Sequence, residues 1–188
     1  MTSTRDWNRN REMWMRILEK QTGEGLDVWN RRIATLRPRD ERSLRAWLKN
    51  QKVTGYAQSL LVMERFGYPD FVLATASQLI DRQYADRSQL RPIYDAIVRA
   101  AGQCGDMVIQ ARKTFVSLMT PRRTFARVQP TTRAQVDLGL RLEGRRPSGR
   151  LQSSTIHETM RVRIGLTMPD EVDAEVRRWL QQAYAENS

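Results

Sequence analysis

Residues 123–150, RTFARVQPTTRAQVDLGLRLEGRRPSGR, hold seven arginines against one aspartate and one glutamate. Their apolar side chains recur at every second position. Thr124, Ala126 and Val128 alternate with Arg123, Phe125 and Arg127, and Val136, Leu138, Leu140 and Leu142 alternate with Asp137, Gly139 and Arg141. A period of two is the mark of a half-buried strand, so the stretch reads as a β-hairpin about the turn QPTTRAQ. With Val128 opposite Val136, both strands send their aliphatic residues to one side. The other side carries Arg123, Phe125, Arg127, Asp137, Gly139 and Arg141, with Arg127 facing Asp137 and Phe125 lying across Gly139.

The same period extends outward. Val116 and Leu118 alternate with Lys113, Phe115, Ser117 and Met119 before the turn TPRR, and Met160, Val162, Ile164 and Leu166 alternate with Arg161 and Arg163. Residues 143–155 between them read as a long polar loop. Pro92 suits the first turn of a helix stopped by Gly102. Thr167 can cap a last helix, 169–185, whose first turn holds Pro169, Asp170 and Glu171. The predicted unit is therefore a helix, four antiparallel strands and a helix, with both helices packed on one sheet face.

Upstream the period is helical. Trp7, Trp14, Ile17 and Leu18 form one stripe; Leu26, Trp29, Ile33 and Leu36 follow, ended by Arg37-Pro38. Further helices are expected from Asp40, from Gly55 and over 71–80, with the polar run 81–89 as the joint. The expected class is α+β: an all-helical domain over 1–85 and, over 88–188, a helix, a four-stranded antiparallel sheet and a helix.

Composition narrows the function. The chain of 188 residues carries a net charge of +11 with 40% hydrophobic residues, so it reads as a folded basic protein. Residues 107–166 hold 12 basic and three acidic side chains, so most of the excess lies in the sheet. A single cysteine, Cys104, cannot form an internal disulfide, and no apolar run reaches membrane-spanning length or resembles a signal peptide. A cytoplasmic protein with no membrane association is expected. Such concentrated charge favours an anionic partner, although 28 arginines to four lysines also reflect a compositional bias.

The predicted sheet face gathers Arg123, Arg127, Arg141, Arg161 and Arg163 with Phe115 and Phe125, and Arg122 adjoins it in the turn. Arginine grips phosphate bidentately and an aromatic ring stacks on a base. A solvated charged face, or one covered by the N-terminal helices, would use the same residues. Other motifs carry less. GRRPSGRL, 144–151, has the glycine spacing of a phosphate loop but Arg150 and Leu151 stand where lysine and a hydroxyl belong. His157, the lone histidine, lies beside Ser153, Ser154, Thr155 and Glu158, yet one His and one Cys build no ordinary zinc site. Helices 40–50 and 55–66 would make a helix-turn-helix whose second helix offers few base-reading side chains.

Two segments carry a family resemblance. KQTGEGLDVWNRRI with LRAWLKNQKVTGYAQSLLV resembles a helical domain of unknown function found in uncharacterised bacterial proteins, although Glu24 replaces a common lysine and NQKVTGYA a histidine-containing turn. KTFVSLMTPRRTFARVQPTTRAQVDLGLRLEG with MPDEVDAEVRRWLQQAY is similar to a small α+β domain. That domain is sometimes labelled a predicted transport protein and also occurs attached to nuclease-like proteins. The resemblance implies no catalytic residue; its nuclease company favours nucleic acid.

The expectation is a non-enzymatic binder of nucleic acid, DNA or RNA, through Arg122, Arg123, Arg127, Arg141, Arg161, Arg163, Phe115 and Phe125, with no cofactor, metal or catalytic residue. The alternative is a small anionic ligand held by Arg127, Arg141 and His157 in a pocket between the sheet and the N-terminal helices. A flat basic face would favour polymer, and a closed pocket of a few hundred Å³ a small ligand.

Overall fold

A computed structural model describes residues 2–4 and 7–188, with side chains from Asn10 onward; Trp7's predicted packing lies outside the described side chains. The chain divides into two compact units, residues 6–74 and residues 1–5 with 75–188. The division at 85–88 expected from sequence is therefore moved to 74–75.

The helical unit comprises α1 (Trp7–Thr22), α2 (Leu26–Leu36), α3 (Glu41–Asn50), α4 (Gly55–Phe66) and a single turn, α5 (Asp70–Leu73). α2 ends at Arg37, whose φ of 49° stops the helix one residue before Pro38. Asp40 and Ser43 close a reciprocal cap at the start of α3. Leu18, Trp29, Ile33, Leu44, Leu48, Leu60 and Leu61 form the core, with Trp14 and Trp47 packed against it and only partly buried.

Residues 71–80 are not one helix. Ala74 is extended, Thr75 accepts the Gln78 N–H, and Gln78 Oε1 accepts the Thr75 N–H at 2.9 Å, so a new helix, α6 (Ala76–Tyr84), starts there. α6 packs on the strand Met107–Ala111 of the second unit. α7 spans Arg91–Gly102.

The C-terminal part of the sheet has six antiparallel strands, not four: β2 (Met107–Ala111), β3 (Val116–Met119), β4 (Thr124–Pro130), β5 (Val136–Leu140), β6 (Gln152–His157) and β7 (Met160–Leu166). β1 (Thr2–Thr4) pairs parallel to β2 at one edge, and the order is β1-β2-β3-β4-β5-β7-β6. β2 and β6 escape an alternation test for opposite reasons. MVIQA is buried on both sides and reads as a short apolar run, whereas QSSTIH is an exposed polar edge strand.

The β4–β5 register differs from the expected one by two residues: Val128 lies opposite Leu138 and Pro130 opposite Val136. The Thr131 N–H donates to the Gln135 carbonyl, closing a shorter loop than the sequence reading assumed. A shift of two leaves every side chain on its expected face but changes its partners.

The last helix also starts later than expected. Residues 169–171 form a 3₁₀ turn, and α8 (Ala174–Asn187) is capped by Asp173, which accepts the Val176 N–H. α8 lies over β4 and β5 and buries Val176, Leu180 and Ala183.

Candidate ligand cavity on the arginine-bearing sheet face

The arginine hairpin is sorted by one irregularity. Leu118 lies opposite Ala126 but Met119 lies opposite Thr124, so Phe125 is an extra residue in β4. The bulge lets Phe125 enter the core beside Ala126. Phe125 is fully buried and meets the Tyr184 ring edge-on at 5.3 Å between centroids. The expectation that Phe125 is an exposed stacking residue is overturned.

The β3–β4 turn holds Arg122 and Arg123 at the end of α8. Arg123 Nη2 donates to the Glu186 carbonyl at 3.0 Å, and Arg122 Nη1 to the Ser188 carbonyl at 3.5 Å. Thr120 Oγ1 donates to the Asn187 carbonyl at 2.6 Å. Cations suit this end of a helix, where carbonyls lack partners. Arg123 is thus half-buried over α8 rather than pointing to solvent.

On the other sheet face, register aligns Gln110, Ser117, Arg127, Gly139, Arg163 and Gln152 in one row. Arg127 is therefore opposite Gly139, not Asp137. Arg163 Nη1 bonds Asp137 Oδ1, and Gln135 Nε2 donates to the same oxygen at 2.7 Å. Asp137 is only 4% exposed, so Arg163 spends its charge on a covered carboxylate instead of facing solvent. Gly165 makes room for this contact, because a Cβ there would lie 2.7 Å from Gln135 Nε2.

Arg127 has no carboxylate partner among the described residues. Its guanidinium lies 3.4 Å from the centroid of the Phe115 ring. Nη1 donates to the Ile156 carbonyl at 3.1 Å, Nη2 to Gln129 Oε1 at 3.0 Å, and the covered Nε has no acceptor. Burial lowers the Arg127 pKa from the ordinary guanidinium value. The Ile156 contact means that the tip of the β6–β7 hairpin leans over the face.

Beneath that tip is a half-enclosed cavity of about 280 Å³. Gln110, Ser117, Phe115, Arg112, Arg127, Arg141 and His157 line it, with Thr124, Thr159 and Met160. No aspartate or glutamate among the described residues lines it. The guanidinium groups of Arg112 and Arg141 make no ion pair or hydrogen bond with the described residues. His157 Nδ1 accepts the Thr159 N–H at 3.2 Å, which leaves the proton of a neutral ring on Nε2 as a donor. A neighbouring cavity of about 350 Å³ shares Arg141 and Thr159 but is mixed in charge, with Arg123 and Arg161 opposed by Glu143, Glu158 and Glu186.

The sequence-predicted residues thus separate. Arg127, Arg141, His157 and Phe115 share the cavity; Arg161 is exposed at the adjoining one; Arg122, Arg123, Arg163 and Phe125 serve α8, Asp137 and the core. Gln110, Ser117 and Arg112 were missed. Their signal was a glutamine inside the apolar run MVIQA. Among the described residues no three metal-ligating side chains cluster and no helix is long and apolar enough to cross a membrane.

No curated protein and no solved structure matches the chain. A family model does match residues 80–187, from the last turns of α6 through α8 and including every residue of the cavity, and on that match the chain belongs to the family described as Domain of unknown function (DUF5655).

Proposed function

We propose that the sheet unit is a non-enzymatic binder of a small anionic ligand, held in the cavity under the β6–β7 hairpin. The observation that carries this reading is the lining itself: three arginines and a histidine donor with no carboxylate among them. Arg127 is already oriented by Phe115 and the Ile156 carbonyl, so little side-chain entropy remains to be lost on binding. A half-enclosed site raises the strength of each charge-assisted bond. The volume is near the lower end of the range of about 300–1,000 Å³ for small-ligand pockets and cannot admit a duplex.

Calorimetric titration with inorganic phosphate and with ribose 5-phosphate tests it. Binding of either is expected to weaken ~10-fold or more in Arg141→Gln, which loses a charge-assisted bond, and to be unchanged in Arg133→Gln outside the cavity. Equal affinity in both variants would remove the site from this face.

A second reading, nucleic acid bound across the surface, rests on a different observation. Arg122, Arg133, Arg145, Arg146 and Arg161 are exposed, and residues 107–166 keep a net charge of +9. Four to six phosphate contacts would give log K a slope of roughly −4 to −5 against log salt on duplex DNA. A small dianion gives a shallow slope, so salt titration separates the two.

A further inference from the structure

The cavity is not lined by cations alone, and its uncharged polar side chains bear on what the anion is attached to. Gln110 and Ser117 are paired in register on β2 and β3 and are 7% and 8% exposed. Neither side chain has a hydrogen-bond partner among the described residues, and neither is among the polar atoms sealed from solvent, so both are left open to a partner. Both line the cavity. A carboxamide presents one acceptor and two donors in a plane, and a hydroxyl adds a donor and an acceptor that rotates to suit. Beside them stand Phe115 and the guanidinium stacked on it, the two kinds of flat surface on which bases rest. A phosphate can accept from the Gln110 amide and the Ser117 hydroxyl, but it has no flat face to lay against the Phe115 ring.

Resting on the small-anion reading above, we infer that the ligand joins its anionic group to a planar ring whose edge carries hydrogen-bond donors and acceptors. This is the chemistry of a nucleoside monophosphate. The phosphate meets Arg141, Arg127 and the His157 Nε2–H, while the ring edge satisfies Gln110 and Ser117. A free mononucleotide and the 5′-phosphorylated terminal nucleotide of a single strand share this chemistry.

The test compares AMP, GMP, CMP and UMP with ribose 5-phosphate, using calorimetry on the full chain. At least one mononucleotide is expected to bind ~10-fold or more tightly than ribose 5-phosphate, because a site built to bond a polar edge discriminates against a ligand lacking it. Gln110→Met, of similar length, should erase that preference while leaving ribose 5-phosphate affinity within about twofold. Ser117→Ala provides the same comparison should Gln110→Met fail to fold, which a thermal melt reports. A 5′-phosphorylated hexanucleotide beside its unphosphorylated form identifies the source: preference for the phosphorylated strand over all four mononucleotides assigns the site to strand ends. If neither mononucleotides nor the phosphorylated strand exceed ribose 5-phosphate, ring recognition is overturned and the anion site stands. If ribose 5-phosphate and phosphate also fail to bind, the anion reading falls with it.

Discussion

Arginines are held in different ways in different parts of the chain. Three of the helical unit meet carboxylates, Arg11 with Glu64 at 2.7 Å, Arg32 with Glu24 at 2.5 Å and Arg45 with Glu41 at 2.7 Å, as do Arg87 and Arg91 ahead of the antiparallel strands. In residues 107–166 of the sheet unit, Arg150 and Arg163 are the arginines with carboxylate partners among the described residues. Three others are fixed by carbonyl oxygens and rings: Arg123 by Glu186 O, Arg127 by Ile156 O and Phe115, Arg145 by the Trp179 ring at 4.9 Å. A carboxylate cancels the charge that it positions; a carbonyl or ring positions it and leaves it. Residues 107–166 therefore keep some ordered, uncancelled positive charge, which is what an anion site requires.

The largest expected effect tests whether the helical unit stands on buried surface rather than on those ion pairs. Trp29 is 3% exposed, and its Nε1–H donates to Thr22 Oγ1 at 3.0 Å. Trp29→Ala should cost about 3–5 kcal/mol in urea unfolding. Glu41→Gln, at an exposed pair, should cost only about 0.3–0.5 kcal/mol. Comparable losses would make the carboxylates structural and blunt the contrast.

Next comes the one covered carboxylate of the sheet. Asp137→Ala leaves Arg163 and Gln135 without their shared acceptor and should cost about 2–3 kcal/mol. A smaller loss would mean that Arg163 turns out to solvent and joins the uncancelled set. Arg123→Met should cost about 1 kcal/mol by uncapping α8, whereas Arg122→Met at an exposed position should be near neutral in the same measurement.

Acid unfolding addresses the carboxylates that do matter in this unit. The Thr167 N–H, followed by Met168's, holds Glu171 below its ordinary pKa, and the Val176 N–H does the same for Asp173. Both folded values are depressed, so their contribution is present above the unfolded values of about 4 and is lost as pH falls through the folded ones. The E171Q/D173N double variant should be less stable at neutral pH and lose less on acidification. Parallel curves would exclude these caps as the cause. Smallest is the effect at Cys104, whose pKa burial raises. Its alkylation at pH 8 should be slower than that of a free thiol and should reach the free rate on unfolding.

Much of this could be read from the residues, and the failures have physical causes. Period-two alternation found β3, β4, β5 and β7 because each sets apolar residues at every second position against polar, charged or glycine ones, even where, as in β5, both sides are buried. It could not find β2, an apolar run without that alternation, or β6, a polar edge strand. Parity placed Arg127 and Arg163 on the correct face, since a register error of two residues preserves parity. It misplaced Phe125 because a bulge breaks the alternation on which the argument rests. The cavity stayed hidden because its cover comes from β6, a polar strand with no periodic signal. TASQ, 75–78, was a legible cap that would have divided residues 71–80 correctly.

The pairing of β1 with β2 sets an order on how the chain is made. Thr2 lies beside Met107, with the whole helical unit between them in sequence. A ribosome adding ~5–20 residues per second delivers Met107 roughly 5–20 s after Thr2. For that interval the strand has no neighbour, while the helices between have time to pack locally. The helical unit can thus be complete before the sheet acquires its last edge, and residues made before the helices are among the latest to find their place.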